Sequence, residues 1–189
     1  MKIIKDNGFT LLELMTVIAI LSILATGTGF VIASNMPDYH LKQAASALFC
    51  DFQVAKSTAV LHQETVQMVF DPAGNTYRIE ALGSDGAPGG AGTAQDSLIK
   101  QVTLAGFGRG IVYGSGIAPK KTDSDFNITY PPFMGTLHRT TFHINGGVGS
   151  LGYVYLTHAS GDLCFRVGTP TMAGVVRISK ASRGIWDDK

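Results

Sequence analysis

The chain has 189 residues, a formal net charge of +1, and only 15% charged against 45% hydrophobic side chains. That balance excludes a polyanion partner recruited by whole-chain charge, and it leaves enough apolar surface for one core plus an attached segment. The 23 glycines show no period, which reads as many turns and not as a collagen-like repeat.

The first eight residues, MKIIKDNG, carry Lys2 and Lys5 against Asp6. From Leu14 to Asn35 there is no charged side chain. At about 1.5 Å per residue that run spans roughly 33 Å, enough for a hydrocarbon core of about 30 Å. Basic flanks stay in the cytoplasm, so the remainder is expected outside it. A secretory signal peptide competes, with small residues around Ala25–Gly29 as its cleavage site, but its apolar region is usually about 7–15 residues. It would also have no use for Glu13. An acidic group in a membrane helix costs about 2.5–3.5 kcal/mol at the centre and less near an end, so Glu13 needs a reason.

The stretch Gly8-Phe9-Thr10-Leu11-Leu12-Glu13, followed by about twenty apolar residues, closely resembles the type IV prepilin signature. The resemblance implies a leader at 1–8, cut by a prepilin peptidase between Gly8 and Phe9, and methylation of the new Phe9 amine. Residues 9–36 then become a transmembrane and filament-core helix in the inner membrane, with Glu13 as the fifth residue of the mature chain. In low dielectric a carboxylate and an ammonium attract strongly, so Glu13 on one subunit is expected to meet the Phe9 amine of another and set the axial register. The plainer alternative is a glutamate snorkelling to the headgroups from an ordinary anchor. Gly27 and Gly29, each costing about 1 kcal/mol in a helix interior, mark a point of weakness or of close helix approach.

Pro37 interrupts the pattern. It either kinks a continuing helix or occupies the first turn of a new one. Over residues 37–63 helical periodicity resumes, with Leu41, Ala45, Leu48, Phe52, Ala55 and Ala59 on one stripe. A weaker stripe of Ala47, Cys50, Val54 and Leu61 lies roughly opposite. Two apolar faces predict two packing partners: the chain's own β-domain and neighbouring helices. Burial of the whole helix in a large core is the alternative. Cys50 and Cys164 are a candidate disulfide in an oxidising compartment, although Cys50 points away from the main stripe. Two small buried hydrophobes are the alternative reading. Neither lies in a CxxC or Cys/His cluster, so no metal site is expected.

From Glu64 onward the helical period vanishes. TVQMVFD and TYRIEAL flank the turn cluster DPAGN at 71–75, a hairpin signal. SLIKQVTLA, RGIVYG, RTTFHING, GYVYLTHA, DLCFRVG and GVVRISK read as further strands of antiparallel sheets. Residues 83–96 are glycine- and alanine-rich and read as a flexible loop, and 118–135 form a long insertion with no assignable structure. The helix running straight into a strand, TFHINGGVGSLGYVYL and CFRVGTPTMAGVVRIS together resemble the GspH/FimT group of pseudopilins and minor pilins. The expected architecture is therefore α+β and pilin-like: a long N-terminal helix packed on an extracytoplasmic β-domain at 64–189.

The function this resemblance implies is structural: a minor pilin or pseudopilin of a type IV pilus or a type II secretion pseudopilus. Its partners would be other pilin or pseudopilin subunits, contacted by the loops at 83–97 and 118–135. A DNA-capturing minor pilin is the second reading. The family's basic motif is only partly kept in GVVR, where Val175 replaces an arginine, but Arg177, Lys180 and Arg183 remain as phosphate contacts. An enzyme is the third. His138 and His143, or His62 with Glu64, form no nucleophile–base spacing, and no catalytic or phosphate-loop motif occurs. No cofactor is expected.

Overall fold

The computed structural model describes residues 9–83, 96–116, 128, 130, 132–133, 137–159, 163–182 and 185–187, with the side chains of 27–35, 132–133, 182 and 185 outside that description. The chain divides into two units, Met1–Met36 and Pro37–Lys189. A single helix, α1 (Leu11–His62), contributes to both, with Pro37 inside it. Of the two readings left open at Pro37, the continuing helix is the one adopted.

In the first unit every described side chain from Phe9 to Thr26 is exposed. The apolar residues occupy all sides of the helix. Its hydroxyls bond back to the backbone: Thr16 Oγ1 donates to the Glu13 carbonyl, Ser22 Oγ to that of Ile18 and Thr26 Oγ1 to that of Ser22, each at 2.8 Å. Such bonds satisfy polar groups within the segment, as an apolar medium requires. Among the described residues no helix is long and apolar enough to cross a membrane; the expected span includes side chains 27–35, which lie outside them.

The second unit contains residues 37–62 of α1 and two five-stranded antiparallel sheets. Its strands are β1 (Val66–Asp71), β2 (Thr76–Ala81), β3 (Ser97–Thr103), β4 (Ile111–Tyr113), β5 (Pro132–Phe133), β6 (Leu137–Phe142), β7 (Gly152–His158), β8 (Leu163–Thr169), β9 (Arg177–Ser182) and β10 (Ile185–Asp187). One sheet runs β3-β2-β1-β6-β5 and the other β10-β9-β8-β7-β4. The helix ends where Gln63 adopts a left-handed conformation (φ 54°), and β1 begins three residues later. The predicted hairpin forms around Asp71, whose Oδ1 accepts from the Ala73 and Gly74 amides at 3.0 and 3.1 Å; this is an Asx turn.

The main stripe of α1 is the centre of the core. Leu41, Ala45, Leu48, Phe52, Ala55 and Ala59 are all fully buried, together with Val66, Met68 and Phe70 of β1 and Val154, Leu156 and Val167 of the second sheet. Phe52 lies 5.9 Å from the Phe70 ring, 6.2 Å from Tyr130 and 6.1 Å edge-on from Phe142. Offset and edge-to-face arrangements of this kind add to simple area burial. The secondary stripe is different: Cys50, Val54 and Leu61 are exposed and Ala47 is half-buried. A helix buried on all sides is thereby excluded.

All eight strands read from the sequence are present, and β5 and β10 are additional. Residues 84–95 of the predicted glycine-rich loop lie outside the described residues. Within the insertion at 118–135, Ile128 bridges to Val154. Tyr130 is buried, stacks on Phe70 at 5.7 Å, and its hydroxyl lies 2.8 Å from Thr169 Oγ1. Part of the insertion is therefore core. The candidate disulfide is corrected: both cysteines are free, Cys50 on the exposed side of α1 and Cys164 buried. Cys164 packs with Tyr155 and Ala181 in a separate small cluster, near Trp186, so the two thiols occupy different environments.

Candidate assembly surface

The N-terminal motif has a local geometry of its own. Phe9 and Thr10 precede the first helical residue, and the Glu13 amide donates to Thr10 Oγ1 at 3.2 Å and to the Thr10 carbonyl at 3.1 Å. Thr10 Oγ1 in turn lies 3.5 Å from Glu13 Oε2. Thr10 thus acts as an N-cap, its hydroxyl accepting from an N–H of the first helical turn. The sequence signal for this is a threonine placed immediately before the apolar helical run. Glu13 keeps an exposed carboxylate beside the helix N-terminus, where a negative charge is favoured. Phe9 is 80% exposed. Gly8, on the other side of the expected cleavage, lies outside the described residues.

Further along, the Cys50–Val54–Leu61 face of α1 is exposed apolar surface, while the opposite face is committed to the core. Asp51 fixes the helix against the first sheet. It is buried, accepts from Tyr77 Oη at 2.7 Å, and pairs with Lys100 Nζ at 2.6 and 2.8 Å. Burial and the Asp51 carboxylate together push the Tyr77 phenol well above its ordinary range. Lys100 lies 49 positions from Asp51, so no local spacing in the sequence announces the pair. Near the end of α1, Lys56 Nζ donates to the Gly174 carbonyl at 3.0 Å. This ties the helix to the loop before β9, whose turn at Gly174 requires a positive φ of 67°.

Of the proposed DNA contacts, the two that are described, Arg177 and Lys180, do not share a face of the sheet. In the β8–β9 register Arg177 stands opposite Gly168 and Lys180 opposite Phe165. Alternation therefore puts Arg177 on the outer face of the second sheet and Lys180 on the inner one. Arg183 lies outside the described residues. A count of charges along the sequence overlooked the period of two.

The outer face of that sheet carries Arg166, whose guanidinium sits 4.8 Å from the Tyr153 ring centroid and 4.4 Å from that of Trp186. These are cation–π contacts. Burial pushes the neighbouring Cys164 thiol up to about 12, with Arg166 opposing the shift. The histidines do not gather. His138 Nδ1 is 2.7 Å from the Tyr130 carbonyl, whereas His143 and His62 are exposed on different elements. Among the described residues no three His, Cys, Asp or Glu side chains group as metal ligands would.

Comparison with known proteins matches these features. Residues 4–29 match the family model described as the prokaryotic N-terminal methylation motif. No curated protein matches the sequence. Among solved structures, the minor pseudopilin EpsH from the Type 2 Secretion System of Vibrio cholerae is similar at a TM-score of 0.52 and 12% identity, over 77% of this chain and 99% of that one. At that identity the likeness speaks for the fold. The chain thus joins a prokaryotic N-terminal methylation motif at its head to a body with the α+β fold of that pseudopilin.

Proposed function

We propose that this protein is a minor pseudopilin or minor pilin: a non-enzymatic subunit of a type II secretion pseudopilus or a type IV pilus. The reading rests above all on the methylation motif lying on a helix whose first described turns are apolar on every side and exposed. Such a surface calls for lipid before assembly and for other helices afterwards. Residues 1–8 are the leader, removed by a prepilin peptidase between Gly8 and Phe9, and Phe9 is N-methylated. Residues 9–36 hold the subunit in the inner membrane and later enter the filament core. Residues 37–63 link that anchor to the β-domain at 64–189, which stands outside the cytoplasm.

Glu13 acts in assembly by pairing with the Phe9 amine of a neighbouring subunit. Its bond to Thr10 is long and solvent-exposed, so exchanging it for a charged partner is inexpensive. The EpsH likeness favours the secretion pseudopilus among the possible filaments, and the separation of Arg177 from Lys180 weighs against a DNA-capturing role. Mass spectrometry of the mature chain from cells tests the reading. An N-terminus at methylated Phe9 is expected; an uncleaved Met1 or a cut near Ala25 overturns it. Glu13→Gln keeps the shape and removes the charge, and it is expected to abolish incorporation into filaments while leaving cleavage intact.

A further inference from the structure

Residues that follow directly on a membrane anchor lie at headgroup level, where aromatic rings sit at the interface and lysines are drawn to lipid phosphates. With residues 9–36 read as the anchor, Asp38, Tyr39 and Lys42 at the start of the second unit meet that condition. Tyr39 is 64% exposed. Here the second unit holds a cleft of about 240 Å³, lined by Asp38, Tyr39 and Lys42 of α1 and by Leu163, Phe165 and Lys180 of the second sheet.

The strand register builds this cleft. Lys180 stands across from Phe165, so it lies on the face of the sheet that α1 packs against. Leu163 and Phe165 are buried and form an apolar floor, while both lysines are exposed at the rim. Neither of these two ammoniums has a hydrogen-bond or ion-pair partner among the described residues. Asp38 precedes Lys42 by one helical turn and Asp187 stands opposite Lys180, yet neither carboxylate closes a pair. Lys56 and Lys100, by contrast, are engaged, on the Gly174 carbonyl and on Asp51. Two unengaged cations from different elements thus share one opening, beside an exposed tyrosine and just past the anchor.

We propose that this cleft binds the headgroup of an anionic phospholipid in the leaflet from which α1 emerges. Lys42 from α1 and Lys180 from β9 hold the phosphodiester as point charges. Tyr39 lies at the interface beside the lipid, and Leu163 and Phe165 floor the cleft. Asp38 sets the preference within the class: its carboxylate repels a doubly charged phosphate and accepts from a headgroup hydroxyl, which favours a glycerol headgroup. A lipid held in this way has to be released when the subunit leaves the bilayer for a filament.

Lipid retention tests this. The full chain is reconstituted into vesicles of phosphatidylcholine and phosphatidylglycerol in equal parts, and native mass spectrometry counts the lipids that stay bound after gentle solubilisation. Phosphatidylglycerol is expected to exceed phosphatidylcholine by about tenfold. Lys42→Gln and Lys180→Gln are each expected to lower that ratio several-fold without changing the melting temperature. Arg177→Gln, on the other face of the sheet, is expected to leave it unchanged. Equal retention of the two lipids overturns the proposal and leaves the lysines to an acidic surface of another subunit. A ratio that falls as far with Arg177→Gln overturns it too, because net charge alone is then at work. Displacement of the lipid by millimolar inorganic phosphate overturns it in favour of a free anion. Vesicles of phosphatidylcholine alone separate the site from the anchor: a chain that fails to insert into them refutes both, whereas one that inserts but shows no lipid preference refutes the site only.

Discussion

The two parts of α1 obey opposite rules although the backbone is helical throughout. In residues 11–26 hydrophobic side chains occupy every side and all are exposed. In residues 37–62 they are fewer, confined largely to one stripe, and that stripe is completely buried. Burial within this chain therefore follows pattern and not content. A stripe has one face to give to a core, and the β-domain takes it. A helix that is apolar all round has no polar face to leave in water, so its solvent must be something other than water. The lesson is that the distribution of apolar residues around the helix separates the part that packs on its own core from the part that does not.

Substitutions break this comparison in graded steps. Phe52 is the residue that joins α1 to both β1 and the Tyr130 segment, so Phe52→Ala is expected to cost about 3–5 kcal/mol in a denaturant melt. Asp51→Ala orphans the Tyr77 hydroxyl and releases Lys100. Because Lys100 is half exposed and can return to water, a smaller loss of about 1–3 kcal/mol is expected. Both effects belong to the second half of the helix.

Alkaline pH acts on the same half through groups whose folded pKa is raised. Cys164 releases its proton near 12 in the folded chain against 9.0 when free, and Tyr77, Tyr113 and Tyr130 are raised above their ordinary 10.0 by burial. An unfolded chain gives up these protons first, so stability is intact below pH 9 and falls as pH rises from there. Cys164 alone contributes a slope approaching about 1.4 kcal/mol per pH unit between its two values. Melts at stepped pH check this, with Cys164→Ala expected to flatten the onset. Neutral-pH alkylation adds a clean readout: Cys50 reacts and Cys164 does not, unless the protein is unfolded.

Much of this was legible from residue order. The 37–62 stripe, the turn at 71–75 and eight strands follow from local periodicity and turn chemistry, which act within a few residues. What escaped depends on distance in sequence. Tyr130 lies in a polar, proline-containing insertion, and its stacking on Phe52 and Phe70 and its buried bond to Thr169 make it core. Asp51 reads as a stray charge beside a stripe until Lys100 arrives from another sheet strand. Conversely, Arg177 and Lys180 looked like neighbours because three residues is a short step along the chain, whereas on a strand an odd step changes face. At the N-terminus the resemblance directs attention to the long-range pairing proposed for Glu13 and away from its short-range contact, the bond to Thr10.

That short-range role predicts the next smaller effect. Thr10→Ala removes the cap and is expected to weaken the first helical turn by about 1 kcal/mol, seen as faster exchange of the Glu13 amide with the β-domain melt unchanged. The smallest expected effect is the sharpest test of the comparison. Ile20 is apolar and exposed, so Ile20→Ala creates no cavity and is expected to shift the β-domain melt by less than about 0.5 kcal/mol. The same truncation in the buried stripe, Leu48→Ala, costs about 2–5 kcal/mol. If Ile20→Ala destabilised the β-domain as Leu48→Ala does, the first half of α1 would have to be part of that domain's core, and an all-round apolar surface would no longer point to lipid or to other subunits. A silent melt combined with loss of filament incorporation is the outcome that assigns the exposed residues to assembly, because the only thing then removed is surface that another molecule covers.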